Sequence, residues 1–250
     1  MQKKVLAILA HPDDAELMCA GTLSLLKKRG WEIHIATMAP GDKGTAVYTR
    51  EEISEIRKAE AAKSAAMLDG TYYCLDFEDV YILYDRASIN ATAALVRKIK
   101  PDIVITSSPQ DYMVDHEMTS KIVQTACFAC GVKNMEVDEP PFEPVPYLYY
   151  TDPMDGVDKL GNPVVPSMYV DITSEITTKE NMLACHASQR DWLLKHHKVD
   201  EYLLAMKRFA AVRGKEAGRE YAEGFRQHLG HGYPGDNILK EILGELLSEK

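Results

Sequence analysis

The stretch "KVLAILAHPDDAELMCAGTL", Lys4–Leu23, decides how this chain is read. Its first part, Val5–Ala10, is an unbroken apolar run, the pattern of a strand buried on both faces. The part that follows, "AELMCAGTLSLLKKRG", has the apolar spacing of an amphipathic helix, with basic residues and a glycine stop at its end. A buried strand feeding directly into a helix is the first half of a βαβ unit. Between the two stand His11, Pro12, Asp13 and Asp14. Polar groups at the end of a buried strand carry a desolvation cost unless something there binds them.

The same alternation continues outward from that stretch. "WEIHIATMA" predicts a second strand, and "REEISEIRKAEAAKSAAML" a helix with acidic residues in its first turn, as the helix dipole prefers. "TYYCLDF" predicts a third strand, "DRASINATAALVRKIK" a helix, "DIVITSSP" a fourth strand and "DHEMTSKIVQTACFAC" a helix. This order implies an α/β fold, a three-layer Rossmann-like sandwich with a mainly parallel sheet. No GxGxxG follows the first strand, which argues against ordinary dinucleotide binding. Ligands of such sheets sit beyond the carboxyl ends of the strands, where the opening motif and "SSPQDYMVDH" both fall.

The second half is less regular. Residues 132–166, with "DEPPFEPVPYLYYTDPMDGVDKLGNPVVP", read as a Pro/Gly-rich insertion near the site, with one strand-like island at "YLYYT". "SMYVDIT" predicts a strand, "SEITTKENMLACHASQRDWLLKHH" a long helix, and residues 199–250 a helical C-terminal part. With no internal repeat, low-complexity tract or linker, residues 1–250 read as one α/β domain.

Composition narrows the function classes. The net charge of −9 disfavours both a nucleic-acid partner held through phosphates and an anionic membrane surface. No run approaches the roughly 18 apolar residues of a transmembrane helix. The initial "VLAILA" is too short for a secretory core, and acidic residues follow it. Five scattered cysteines, an odd number, suit free thiols in a reducing cytoplasm. Of these, Cys127 and Cys130 form a CxxC inside an apolar helical pattern with no second pair, so they read as packed thiols.

A helix N-cap accounts for one of Asp13 and Asp14 and leaves the other unexplained beside His11. Asp115 and His116 repeat the combination of carboxylate and histidine after a buried strand. Two such clusters at one sheet edge can converge, and His, Asp and His form a plausible three-residue zinc set with an open position for water. A carboxylate beside that water but off the metal would serve as general base. The residues by themselves thus suggest a hydrolase using metal-activated water.

Four stretches, "AHPDDAE", "EIRKAEAAKSAAMLDG", "PDIVITSSPQDYMVDH" and "ENMLACHASQ", resemble the successive motifs of the PIG-L (LmbE-like) family of zinc-dependent N-acetylglucosaminyl deacetylases, in order from about Val5 to Gln189. The resemblance implies one Zn²⁺ held by His11, Asp14 and His116, with Asp13 as general base. It also implies that Arg57 contacts substrate hydroxyls. One position departs from the pattern: many relatives carry a histidine three residues before the last ligand, and this chain has Met113 there, with Val114 in place of proline. Methionine donates no hydrogen bond. Oxyanion stabilisation then falls to Tyr112, to another side chain or to the metal alone, or else the activity differs. Asp115 reads either as a second partner for His116 or a substrate hydroxyl, or as a helix cap. His186 reads as a satisfied helix histidine before a catalytic one. His196 and His197 read as helix-end residues, and His228 and His231 as parts of a surface turn. The loop Gly41–Gly44 reads equally as a pocket wall or a solvent loop.

The implied function is removal of the N-acetyl group from an N-acetylglucosamine-containing small molecule. The alternatives are an amidase on another amide, such as a thiol conjugate, and a metal-containing sugar-binding module with little catalysis. Relatives often form oligomers, and the Pro-rich stretch fits either an interface between copies or a cover over the site.

Overall fold

In the computed structural model, residues 2–190 and 201–250 are described. Eight strands form one sheet in the order β3-β2-β1-β4-β5-β7-β6-β8. The parallel part contains β1 (Lys4–Leu9), β2 (Glu32–Thr37), β3 (Thr71–Cys74), β4 (Ile103–Thr106) and β5 (Tyr147–Thr151). Three strands extend it antiparallel: β6 (Met168–Asp171), β7 (Ala222–Gln227) and β8 (Leu247–Glu249). The helices are α1 (Asp14–Met18), α2 (Ala20–Lys28), α3 (Arg50–Ala66), α4 (Arg86–Ile99), α5 (Val114–Ala129), α6 (Ile176–Leu183), α7 (Glu201–Ala217) and α8 (Ile238–Leu243).

The central strand shows why the sandwich has three layers. Successive strand residues point to opposite faces. Val5, Ala7 and Leu9 accordingly enter one core, with Leu23 and Leu26 of α2 and Leu239 and Leu243 of α8. Leu6, Ile8 and Ala10 enter the other, with Leu95 and Val96 of α4 and Ile122 and Val123 of α5. A strand with both faces buried must be apolar throughout, as Val5–Ala10 is.

Three sequence expectations need correction. The helix after His11 is two helices, broken at Cys19 (φ −145°, ψ 6°). The break is held from outside: the Glu223 carboxylate of β7 accepts the Gly21 and Thr22 N–H groups at 2.9 and 2.8 Å, meeting the unpaired donors of a helix start. A side chain on Gly21 would run into Ile172 at 2.7 Å. The long helix after β6 stops at Leu183, and helical backbone resumes at 187; His196 and His197 lie outside the described residues. The C-terminal part is not helical throughout. Its segment Ala222–Gln227 enters the sheet between β5 and β6, and Leu247–Glu249 forms an edge. Gly224 has no side chain because the Asp152 carboxylate occupies that space. Tertiary fit, not intrinsic preference, makes this segment a strand.

No helix among the described residues is long and apolar enough to cross a membrane. All five cysteines are unpaired, with Cys127 and Cys130 buried on the α5 side.

Candidate active site

The chain runs from β1 to β2 on one side, while β4 pairs with β1 on the other. Such a reversal opens a crevice at the carboxyl ends of the strands. His11 follows β1, and the loop after β4 carries Asp111, Tyr112 and Met113 into the start of α5. A cavity of about 630 Å³ lies there. Its lining includes His11, Asp13, Asp14, Arg57, His116 and Tyr202.

His11, Asp14 and His116 are buried and meet at one point. Asp14 Oδ2 lies 3.6 Å from His11 Nδ1 and 3.5 Å from His116 Nε2, and it also accepts the His11 backbone N–H at 2.8 Å. The far ring nitrogens face carboxylates: His11 Nε2 is 2.9 Å from Asp79 Oδ1 and 3.2 Å from Asp115 Oδ2. His116 Nδ1 is 3.1 Å from Asp111 Oδ1. A carboxylate behind each ring fixes the proton on the far nitrogen and leaves the near one as a lone-pair donor. Three donors therefore converge, the pattern of a metal centre. His11, Asp79 and Asp115 also cluster, but His11 Nε2 is then a proton donor to those carboxylates and offers no lone pair to an ion there.

The adjacent aspartates have separate environments. Burial acts to raise the Asp14 carboxyl, but His116 and the bonds from His11 outweigh it and hold it well below the usual range. Burial raises Asp13 above its ordinary value, against the opposing charge of Arg57. Asp13 occupies the N-cap position of α1, yet its side chain makes no capping bond, and its φ of 101° is strained for a residue other than glycine. The carboxylate instead accepts a 2.6 Å hydrogen bond from Tyr202 of α7 and lies 3.6 Å from Arg57 Nη2. The helix-cap reading thus fails for Asp13.

Arg57 lines the cavity, with much of its guanidinium occupied by protein: Nη1 donates to the Gly41 carbonyl and Nη2 to that of Pro12. Gly41 and Gly44 lack side chains because the guanidinium fills that space, and Gly44 reaches the cavity wall. Tyr112 and Met113 also line the cavity, and the exposed Tyr112 ring meets His116 edge-on with centroids 5.7 Å apart. Asp115 accepts the Val80 N–H at 2.7 Å and meets His11 rather than His116. It does not cap α5, whose N-cap position is Met113. His186 is fully buried, 3.3 Å from Glu16, and His228 bonds Tyr150 away from the cavity. Sequence reading missed Asp79, Asp111 and Tyr202. Asp111 stands within the "QDYMVDH" motif and could have been found there, whereas nothing local marks Tyr202, 189 residues after Asp13.

A parallel sheet with converging imidazoles and carboxylates at its switch point, beside a separate buried carboxylate, defines an enzyme. The chain matches the PIG-L family, described as GlcNAc-PI de-N-acetylase, over residues 6–127. It is 28% identical to the diacetylchitobiose deacetylase of Thermococcus kodakarensis, over 90% of this chain and 82% of that one. It is 24% identical to the 4-oxalmesaconate hydratase of Pseudomonas putida, over 90% of this chain and 89% of that one. The N,N'-diacetylchitobiose deacetylase structure from Pyrococcus horikoshii shares the fold, with a TM-score of 0.79 at 24% identity over 94% of this chain and 88% of that one.

Proposed function

We propose that this protein is a zinc-dependent hydrolase that removes the N-acetyl group from an N-acetylglucosamine-containing small molecule, with Asp13 as the general base. The observation that carries this reading is the convergence of His11, Asp14 and His116 beside the separate Asp13. Donors about 2.0–2.1 Å from a tetrahedral zinc stand about 3.4 Å apart. The spacings of 3.5 and 3.6 Å from Asp14 Oδ2 suit that ion, as does the mixture of two imidazoles and one carboxylate. When bound, zinc supplies a Lewis acid that polarises the amide carbonyl and acidifies water.

The chain's own residues do the rest. Asp13 takes the proton of the attacking water and passes it to the leaving amine. Tyr202 and Arg57 hold the Asp13 carboxylate in place. Asp79, Asp115 and Asp111 keep both imidazoles oriented. Tyr112, at the mouth, contacts the substrate, and the 630 Å³ cavity has room for a group beyond one sugar. The similarity to diacetylchitobiose deacetylase supports the amino-sugar substrate.

Two observations favour a second reading. Met113 lines the cavity and offers no hydrogen-bond donor for an oxyanion, and the chain is similar over most of its length to a hydratase. The second reading is addition of water to a carbon–carbon double bond at the same centre.

The test is primary-amine release from a panel of N-acetylglucosamine compounds with added zinc, comparing wild type with Asp13→Asn. Release by wild type alone establishes the deacetylase. No release from either, together with loss of conjugated absorbance from an unsaturated dicarboxylate, transfers the assignment to the hydratase.

A further inference from the structure

Beside the converging side chains lies a second, small cavity of about 10 Å³, more enclosed than the first. Its lining includes Asp14, Asp111 and His116 together with Ser107, Thr151 and Asp152. Ser107 leaves the end of β4 and Asp152 the end of β5, so neighbouring parallel strands bring them together. Both residues are more than nine-tenths buried, and each holds a polar atom without a partner: Ser107 Oγ and Asp152 Oδ1. The other Asp152 oxygen is taken, accepting a 2.8 Å bond from Arg213 Nε. Leaving a buried hydroxyl and a buried carboxylate oxygen unsatisfied is costly, about 1–3 kcal/mol for each. A space of roughly 10–15 Å³ holds one water, which needs two to four polar partners.

We propose that this cavity is the site of one resident water, bound by Ser107 Oγ and Asp152 Oδ1, which braces the inner side of Asp14 and His116. One water proton goes to Asp152 Oδ1, and the second faces the wall carboxylates Asp14 and Asp111. The water accepts the Ser107 hydroxyl proton. A cation is the poorer occupant, because Arg213 and the electrostatically coupled Arg226 already counter Asp152. Asp14, His116 and Met154 line both cavities, so the water sits against the same side chains that face the substrate space. The bracing role rests on the zinc reading above; the water site itself does not.

The test is a high-resolution crystal structure of the zinc-loaded protein, with Ser107→Val and Ser107→Ala beside wild type. Expected is a density peak at hydrogen-bonding distance from Ser107 Oγ and Asp152 Oδ1, lost in Ser107→Val. That variant should bind zinc about tenfold more weakly in chelator competition, as loss of an outer-shell contact does. Its melting temperature should also fall. Ser107→Ala, which keeps the space and Asp152, should retain the peak. A dry cavity gives the opposite sign: no peak, a higher melting temperature for Ser107→Val, which fills the space and deletes an orphan hydroxyl, and unchanged zinc affinity. That result overturns the proposal. A peak in a protein that takes up no zinc keeps the water site and overturns the metal reading instead.

Discussion

Asp13 is held against its own preferences. Its left-handed backbone costs of the order of 1–3 kcal/mol, and burial opposes its charge. Tyr202 and Arg57 offset both by holding the carboxylate from two sides. With Asp13 as the proposed base, Asp13→Asn keeps the shape and removes the proton acceptor, so kcat should fall by about 10²–10⁴-fold with zinc content unchanged, read by amine release and metal analysis. Tyr202→Phe deletes a single bond to the carboxylate. It should lower kcat about tenfold and leave KM close to wild type, since about 1.4 kcal/mol of positioning is lost. A KM effect alone would place Tyr202 in substrate binding instead. The pair His11 and His116 was legible in the motifs because each follows a buried strand at the sheet's carboxyl edge. Asp79 and Tyr202 were not, because long-range folding brings them to the site.

Among the elements, the join of α1 and α2 depends on a remote strand. Glu223 of β7 accepts two N–H groups and the Thr22 hydroxyl of α2, and it pairs with Lys179 of α6 at 2.5 Å. Both members of the ion pair are almost fully buried. Removing Glu223 leaves the buried Lys179 charge uncompensated and three donors without their acceptor, so Glu223→Ala should cost about 3–5 kcal/mol in urea unfolding. Asp152, at the end of β5, gives a pH signature. Burial pushes its carboxyl up to about 6, against the pull of Arg213. The folded state therefore binds more protons than the unfolded state between about pH 4 and pH 6. Stability from this group is fully present at the acid end and declines as pH rises through 6, by a few kcal/mol in order of magnitude. Asp152→Asn should remove that slope from the urea midpoint measured across the same range. The helices were legible where their faces were amphipathic and capped, as with the Thr49–Glu52 capping box of α3. The break at Cys19 was not, because the group that makes it acceptable lies about 200 residues away.

For the whole molecule, the metal reading predicts a linkage. Four aspartates and two histidines crowd the centre, and a divalent ion that binds only the folded chain stabilises it in proportion to its occupancy. Zinc at a thousandfold over its Kd should add about 4 kcal/mol and raise the melting temperature by roughly 8–16 °C, with chelation reversing the shift. The antiparallel extension also concerns the whole sheet. Because β7 lies between β5 and β6, neither β6 nor β8 can join the parallel strands without it.

By itself the sequence determined the α/β class, the buried central strand, the two motifs at the sheet edge and the resemblance to the PIG-L family. Each of these is written in local order: hydrophobic period, strand followed by helix, and polar residues placed where a strand ends. Tertiary structure alone decided which carboxylate backs which imidazole, that Tyr202 holds Asp13, that α1 and α2 separate at Cys19, and that Ala222–Gln227 is a strand. The physical reason is that these features depend on contacts between distant segments. A hydrogen bond across 189 residues, or a glycine opposite a buried aspartate, leaves no periodicity in the chain that makes it.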